Sequence, residues 1–327
     1  MRDSFGRAIT YLRLSLTDRC DLRCIYCMPE RMRFAPRTDI LSLEELDRVA
    51  SCFIRAGVRK LRLTGGEPLV RKGAVDLIRA LARHLRSGSL DELTLTTNGS
   101  RLETHADALA KAGIRRINVS LDHLEPDSYR RITRGGDIAD VLAGIDAARA
   151  AGLAVKINAV VLREDNLDHL PDLVGWAHAR GFAVSLIEVM PIGDVGADRL
   201  RQHVPMPEAR ARIEARWPLA DIAMRTGGPA RYARTAEGSV IGFITPLSAM
   251  FCDGCNRVRV SADGKLHACL GREVAADLKP ALRDHRDDGL LELTIAGLVR
   301  AKPRSHDFRI APHSAPAVGR TMSATGG

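Results

Sequence analysis

Short apolar runs alternate with helically periodic segments between residues 10 and 190. The periodic segments repeat apolar residues every three or four positions, which is typical of helices with one buried face. The clearest begins at Ser42, which forms a capping box with Glu45, and ends before Gly57. The predicted strands are 11–16, 60–64, 93–97, 117–121, 155–161 and 185–189. The predicted helices are 42–55, 73–86, 103–112, 138–151 and 167–180.

This alternation predicts an α/β fold of about six βα units, with parallel strands joined by right-handed crossovers. A complete barrel of this kind has eight strands, so we expect a partial, incomplete TIM-type barrel. A Rossmann-type sheet is the alternative, but no predicted strand is followed by the Gly-x-Gly-x-x-Gly turn that such a sheet uses.

The alternation of predicted strands and helices ends after about residue 191, where Pro and Gly become frequent. We therefore expect two domains, with residues 1–190 forming the partial barrel and residues 191–327 a smaller, loop-rich region. Short strands are predicted at 239–244, 257–261 and 290–295, with a hairpin turn at Asp263-Gly264. The small, polar stretch 314–327, taken alone, is typical of a mobile tail.

Composition and charge narrow the class of protein. No apolar run of the 327 residues approaches the roughly 18 that a membrane helix needs, and the N-terminus lacks a hydrophobic signal region. We predict a cytoplasmic protein without a membrane partner. The net charge of +9 is compatible with nucleic acid, an acidic membrane surface or a phosphorylated substrate. Because only 4% of residues are aromatic, stacking platforms for single-stranded nucleic acid are scarce.

Six of the seven cysteines fall into two triads. Cytosolic proteins rarely keep disulfides, so clustered thiols indicate a metal site. The first triad, Cys20-x3-Cys24-x2-Cys27, follows the first predicted strand. Three thiolates can each hold one iron of a cubane cluster and leave the fourth iron open for a reactive ligand. A zinc site is the alternative, but zinc prefers four protein ligands, and no fourth is obvious nearby.

The second triad is Cys252-x2-Cys255-x13-Cys269. Its spacing alone favours a cluster and a zinc site completed by His267 equally, and the first triad tips the balance toward a second cluster. Arg257 and Arg259 alternate on one face of the strand beside it, as a solvated face or as a phosphate clamp. The seventh cysteine, Cys52, matches no motif and is predicted to be incidental.

The first triad, with Tyr26 before its last cysteine, resembles the motif of the radical S-adenosylmethionine (radical SAM) enzymes. The turn Gly65-Gly66-Glu67-Pro68 follows the second predicted strand, as in that family. Within it, the chain from Arg13 to Gly326-Gly327 resembles the GTP 3′,8-cyclase family. The matching stretches are Leu12-Arg13-Leu14-Ser15, Arg62-Leu63-Thr64-Gly65-Gly66-Glu67-Pro68, Thr96-Thr97-Asn98-Gly99, Asn118-Val119-Ser120-Leu121-Asp122, and Phe251-Cys252 through Cys255-Asn256-Arg257-Val258-Arg259 and Asp263-Gly264 to Cys269-Leu270.

The resemblance implies two [4Fe-4S] clusters, S-adenosylmethionine as cofactor, and GTP as substrate. The implied reaction uses a 5′-deoxyadenosyl radical to cyclise GTP in the first step of molybdenum cofactor biosynthesis. The implied cluster ligands are Cys20, Cys24 and Cys27, then Cys252, Cys255 and Cys269. The implied cofactor contacts are Tyr26, Gly66, Ser120 and Met190. The implied substrate contacts are Arg13, Arg62, Thr96, Lys156, Arg257, Val258 and Arg259.

Three of these cations, Arg13, Arg62 and Lys156, lie on predicted barrel strands. A cation on such a strand is rarely buried without an anionic partner, so we expect all three to point into the barrel lumen. Many family members carry Arg at the position of Ser185, which puts one phosphate contact in doubt. Arg199 and Arg201 are candidates to replace it.

The resemblance also implies an external electron donor and transfer of the product to the cyclic pyranopterin monophosphate synthase. It allows a homodimer, and it implies a Gly326-Gly327 tail that reaches the active site. Two alternatives stay open at this point. One is a radical SAM peptide-modifying maturase with an auxiliary cluster, and the other is a basic, zinc-containing nucleic-acid-binding protein.

Overall fold

The computed structural model describes residues 1–196, 198–285, 287–311 and 315–326. In the first half of this part of the chain, six parallel strands are connected by helices in the predicted order. The strands are β1 (Tyr11–Ser15), β2 (Lys60–Thr64), β3 (Glu92–Thr97), β4 (Arg116–Ser120), β5 (Ala154–Val161) and β6 (Ala183–Glu188). The helices are α1 (Leu43–Arg55), α2 (Ala74–Arg86), α3 (Leu102–Lys111), α4 (Pro126–Thr133), α5 (Ile138–Ala150) and α6 (Leu170–Ala179).

Local sequence determines where these helices begin. Ser42 accepts a hydrogen bond from the backbone N–H of Glu45, whose carboxylate accepts one from the Ser42 N–H, so the predicted capping box forms. Helix α4 was not predicted, because it is short and mostly polar. It begins at the Glu125 carboxylate, which accepts hydrogen bonds from the N–H groups of Asp127 and Ser128.

The second half of the chain adds strands to both edges of the same sheet. Its strands are β7 (Ala220–Ile222), β8 (Arg231–Arg234), β9 (Val240–Ile244), β10 (Arg257–Val260), β11 (Lys265–His267) and β12 (Ala275–Asp277). Its helices are α7 (Arg199–Gln202), α8 (Met206–Glu214), α9 (Lys279–Arg283), α10 (Gly289–Arg300) and α11 (Met322–Thr325). Within the described residues, the strand order is β12-β11-β10-β1-β2-β3-β4-β5-β6-β9-β8-β7. The α/β partial-barrel prediction is confirmed, while the boundary at residue 190 stays a prediction, since the sheet continues across it.

The strand predicted at 290–295 is wrong, because these residues lie in α10. Leu291 and Ile295 fit an alternating strand, but the apolar spacing continues through Leu298 and Val299, which is helical. All four side chains are buried on one face of the helix. The mobile-tail interpretation also fails for residues 320–326. Ser323 and Thr325 are buried there, and Gly327 lies outside the described residues.

Strand register places the polar side chains of the sheet on one face. Arg13 is aligned with Arg62 on one side and with Arg259 on the other. The intervening Leu12 and Leu61 belong to the apolar core on the opposite face. Because successive side chains of a strand alternate between faces, the basic residues are brought together on the lumen face. Among the helices that the structure describes, none has the length and hydropathy of a membrane span.

Candidate active site

The first cysteine triad lies on the loop that follows β1, where the strands end. Its three side chains are partly buried, form no disulfide, and line a cavity of about 170 Å³. The same cavity is lined by all four predicted cofactor contacts, which are Tyr26, Gly66, Ser120 and Met190. Thr96, predicted as a substrate contact, also lines this cavity, and its Oγ1 accepts a hydrogen bond from Arg62 at 3.1 Å.

The glycine turn after β2 fastens the cysteine loop to the sheet. The Gly66 N–H donates to the Thr17 carbonyl at 2.7 Å, and the Glu67 N–H donates to the Arg19 carbonyl at 2.8 Å. A Cβ atom on Gly66 would collide with the Arg19 carbonyl. The glycine is therefore required by this backbone contact, which sets the height of the cysteine loop above the strands.

Carboxylates surround the first triad. Burial raises the pKa of both Cys20 and Cys27 to about 12, and the charge of Glu67 contributes to the Cys20 value. Burial also raises the pKa of Asp122 to about 6, and this carboxylate accepts a hydrogen bond from the Tyr26 hydroxyl at 2.7 Å. Sequence reasoning matched Asp122 to the family but assigned it no role. In the structure it fixes the Tyr26 ring beside the triad.

The second triad lies in loops on either side of the β10–β11 hairpin. Cys252, Cys255 and Cys269 line a second cavity, of about 190 Å³. That cavity is also lined by predicted substrate contacts, namely Arg13, Arg62, Lys156, Arg257, Val258 and Arg259. The expectation that the strand cations face the lumen agrees with this arrangement.

The second cavity carries a large excess of positive charge. Burial alone would raise the pKa of Tyr11, but the charges of Arg62 and Arg13 lower it to about 8. Burial, followed by the charges of Arg116 and Arg62, lowers the pKa of Lys156 to about 7. Cations that lower one another's pKa values in this way indicate a site that binds an anion.

Sequence reasoning missed several residues of this cavity. Lys60 and Arg116 line it and share the Glu92 carboxylate, at 2.7 and 2.5 Å. Lys60 stands two residues before Arg62 on the same strand face, so alternation alone could have found it. The Lys156 ammonium donates to the Tyr232 hydroxyl at 3.1 Å, a contact that no local pattern signals.

Thiol geometry separates the cluster from the zinc alternative. Three thiolates on one zinc ion lie about 3.8 Å apart, given Zn–S distances of about 2.3 Å. Within the described residues, neither triad brings its three Sγ atoms within 4.8 Å of one another. His267 completes no such group either. The wider spacing fits thiolates on separate irons of a cubane, so the residues present fit two [4Fe-4S] clusters.

The surroundings of the second triad favour a thiolate at Cys255, whereas burial raises the pKa of Cys252. Burial raises the pKa of Cys255, but the charges of Arg257 and Lys302 outweigh it and lower the pKa to about 7. His267 is not suited to carry a charge here, because burial and the charge of Arg320 lower its pKa to about 4. Its Nδ1, like Nε2 of His306, is buried without a hydrogen-bond partner among the described residues and lines the cavity.

The two cavities share a wall. Asn158, Ile187, Met190 and Met322 line both of them. Met322 belongs to α11, so the C-terminal segment lies where the cavities meet. Its end is fixed by a hydrogen bond that the Arg259 guanidinium donates to the Gly326 carbonyl.

Neither candidate to replace an arginine at position 185 is among the described residues that line these two cavities. Arg199 donates to the carbonyls of Ile192 and Gly193, and Arg201 pairs with Glu164 at 2.6 Å. Both guanidiniums are bonded to these partners and lie away from the substrate cavity, and their role as replacements stays a prediction. The Ser185 hydroxyl is fully buried and has no hydrogen-bond partner among the described residues.

Cys52 lies apart from both triads. Its Sγ and the carboxylates of Asp288 and Glu292 lie within 4.8 Å of one another. The Arg55 guanidinium donates to all three, and so occupies the position that a metal ion would need. The prediction that Cys52 is incidental stands as a prediction.

Comparisons with known proteins agree with this arrangement. Residues 14–177 match the model of the radical SAM superfamily, and residues 182–308 match that of the molybdenum cofactor synthesis C family. A GTP 3′,8-cyclase of Rhodopseudomonas palustris is 58% identical over 329 residues, covering 100% of this chain and 96% of the relative. A GTP 3′,8-cyclase of Caulobacter vibrioides is 58% identical over 326 residues, covering 99% and 93%.

Solved structures support the fold. Streptococcus suis SuiB bound to S-adenosylmethionine has a TM-score of 0.63 and 15% identity, covering 97% of this chain and 77% of that one. SuiB bound to the precursor peptide SuiA has a TM-score of 0.64 and 14% identity, covering 91% and 66%. At such identities the likeness shows the fold alone and does not favour the maturase alternative. The chain belongs to the radical SAM superfamily and, within it, to the GTP 3′,8-cyclase family.

Proposed function

We propose that this protein is a lyase that cyclises GTP to (8S)-3′,8-cyclo-7,8-dihydroguanosine 5′-triphosphate, the first step of molybdenum cofactor biosynthesis. The observation that carries the proposal is the shared wall between the two cavities. It brings an acidic three-cysteine site and a basic three-cysteine site into contact through four side chains. That arrangement suits a cofactor and a triphosphate that must react with each other.

The first site would hold a cluster on Cys20, Cys24 and Cys27 with S-adenosylmethionine on its open iron. When bound, this pair would supply the radical chemistry of the reaction, a 5′-deoxyadenosyl radical directed at the ribose 3′ hydrogen of GTP. Tyr26 would contact the adenine, in an orientation fixed by Asp122. Gly66, Ser120 and Met190 would line the remaining cofactor surface, and Met190 is shared with the substrate cavity.

The second site would hold the other cluster on Cys252, Cys255 and Cys269, with guanine at its open iron. Arg13, Arg62, Lys156 and the Arg257–Val258–Arg259 segment would surround the triphosphate. The triphosphate would then neutralise much of the charge excess of the cavity. Thr96 would act from the cofactor side through its hydrogen bond to Arg62.

Anaerobic reconstitution tests the proposal. Protein reconstituted with iron and sulfide should bind about eight irons, in two cubane clusters. With GTP, S-adenosylmethionine and dithionite, it should release one 5′-deoxyadenosine for each GTP consumed. Deuterium at the ribose 3′ position should appear in that deoxyadenosine. Release of 5′-deoxyadenosine at the same rate with and without GTP would contradict the proposal and favour the maturase. A zinc-loaded protein would contradict both interpretations.

Four further properties belong to the same proposal. The reaction consumes reducing equivalents, so an external electron donor must dock on this protein. The product is reactive and would pass to the cyclic pyranopterin monophosphate synthase. We place the protein in the cytoplasm, where GTP and such donors occur, and we expect that it acts alone or as a homodimer.

A further inference from the structure

Each cysteine segment of the second triad is held by its own basic side chain, of which Lys302 is buried and Arg7 and Arg320 are partly exposed. The Arg7 guanidinium donates to the carbonyls of Cys252, Pro303 and Arg304, at 2.7 to 2.8 Å. The Arg320 guanidinium donates to the carbonyls of Cys269, Leu270 and Arg272, at 2.6 to 3.1 Å. The Lys302 ammonium donates to the carbonyls of Arg257 and Ala268, at 2.9 and 2.5 Å. These three side chains fix where the cysteines lie.

The three cations differ in how their charge is compensated. Arg7 pairs with the buried carboxylate of Asp3 at 2.6 Å, and Arg320 pairs with Glu273 at 2.7 Å. Lys302 is only 2% exposed and forms no ion pair within the described residues. A buried ammonium without a carboxylate requires another anion nearby, and a thiolate-ligated cluster is such an anion.

The first triad has the opposite surroundings. The buried carboxylates of Glu67 and Asp122 act on its thiols. The basic side chains that bond to its loop, Arg23 and Arg134, are both partly exposed, so water screens their charge. Backbone N–H groups reach the sulfurs at both sites, from Leu22 at the first and from His306 at the second. Hydrogen bonding to sulfur is therefore similar, and buried charge is what differs.

We propose that Lys302, Arg7 and Arg320 position the ligands of the second cluster, and that the uncompensated charge of Lys302 makes this cluster easier to reduce than the first. Reduction adds one electron to the cluster, so a buried positive charge beside it stabilises the reduced form. The buried carboxylates at the first site act in the reverse sense. The proposal rests on the two-cluster content of the proposed function and not on GTP turnover.

Full-length proteins with one cluster each test the order of reduction. One has Cys20, Cys24 and Cys27 replaced by Ala, and the other has Cys252, Cys255 and Cys269 replaced by Ala. Each is titrated with dithionite, and the reduced cluster is followed by electron paramagnetic resonance. GTP and S-adenosylmethionine are left out because both are charged. The protein that keeps the second cluster should have the higher midpoint potential, and an equal or lower value would overturn the proposal.

Variants of Lys302 separate charge from shape in the protein that keeps the second cluster. Lys302→Gln retains two N–H donors but loses the charge. The ratio of reduced to oxidised cluster at a fixed potential should fall about tenfold, which is 59 mV for one electron. Lys302→Arg keeps the charge, so its midpoint potential should stay close to that of the parent protein. Lys111→Gln, which removes an exposed lysine paired with Asp107, should also leave the potential unchanged.

If the midpoint potential does not shift in Lys302→Gln, or shifts equally in Lys302→Arg, the role assigned to Lys302 is overturned. If either variant loses its iron, the comparison of the two single-cluster proteins decides the charge argument by itself. Failure of the proposed function looks different, because wild-type protein would then carry both clusters and leave GTP unchanged.

Discussion

Single residues carry charge of opposite sign to the two cysteine sites, and only part of this could be read from the sequence. Cys20 and Cys255 occur in similar motifs, yet the pKa of one thiol is raised to about 12 and that of the other is lowered to about 7. The larger of the two charges is local, since Arg257 is two positions from Cys255, whereas Lys302 is 47 positions away. The cysteines and Arg257 could be predicted because their spacing is local, whereas Lys302 and Glu67 come from distant parts of the chain.

Among single residues, Glu67 is expected to make the stability of the folded protein depend on pH. Burial raises the pKa of this carboxyl to about 7, although it accepts hydrogen bonds from the N–H groups of Leu69 and Asn98 and from the Thr97 hydroxyl. Because the folded-state pKa exceeds the unfolded value of 4.5, stability is fully present below pH 4.5 and is lost as pH rises through 7. The contribution lost is up to about 3 kcal/mol.

The measurement is urea unfolding of the metal-free protein at pH 5 and pH 8, with Glu67→Gln for comparison. Wild type should lose more free energy of unfolding between the two pH values than the Gln variant, which has no such proton to release. Equal losses in both proteins would show that Glu67 does not titrate in this range.

Arg257 and Arg259 differ in their roles although both line the substrate cavity. Arg257 lies over the Phe251 ring at 5.1 Å and next to Cys255, while Arg259 holds the Gly326 carbonyl. Replacing either with Ala should weaken GTP binding about tenfold or more, since charge-assisted hydrogen bonds contribute about 1.5–3 kcal/mol. Calorimetric titration checks this, with iron content as the control. Unchanged affinity in both variants would exclude a phosphate clamp.

At the scale of elements, alternation and capping were sufficient to predict the six central strands and five of the six helices α1 to α6. The strand predicted at 290–295 failed because an apolar run of six residues fits both periods, and only its continuation into α10 separates them. The pairing of β9 with β6 and of β10 with β1 was not predictable, since the partners are far apart in sequence. These pairings extend the sheet and bring the second triad to the lumen.

The hairpin formed by β7 and β8 is the element that closes the cavity beside Lys156. The Tyr232 hydroxyl accepts from the Lys156 ammonium, so its own proton is directed to Thr226 Oγ1, at 2.7 Å. Tyr232→Phe removes this acceptor and leaves Lys156 among cations. GTP affinity should fall about tenfold, while guanosine, which has no phosphates, should bind as before. A parallel loss of guanosine affinity would indicate a collapsed cavity instead.

On the scale of the whole molecule, the C-terminal segment joins parts of the chain that the sheet keeps separate. The Arg320 guanidinium is bonded to the second cysteine region, Met322 lies in the wall between the cavities, and Gly326 reaches the Arg259 guanidinium. The polar composition of this segment predicts a mobile end. No local pattern shows that Gly326 must be small because it packs beside β2. Only the folded sheet, with Thr64 at the end of that strand, creates the requirement.

Gly326→Ala tests whether this closure matters for catalysis. Gly326 has a φ of +77°, and a Cβ atom there would collide with the Thr64 hydroxyl, so the variant must displace the tail. Gly319→Ala is the matched control, because Gly319 lies in the same segment and a Cβ there meets no atom within 4 Å. We expect Gly326→Ala to retain about eight irons but to lose at least tenfold in GTP-dependent deoxyadenosine formation, while Gly319→Ala stays near wild type. Equal turnover in the two variants would mean that the tail is packed against the site without serving it.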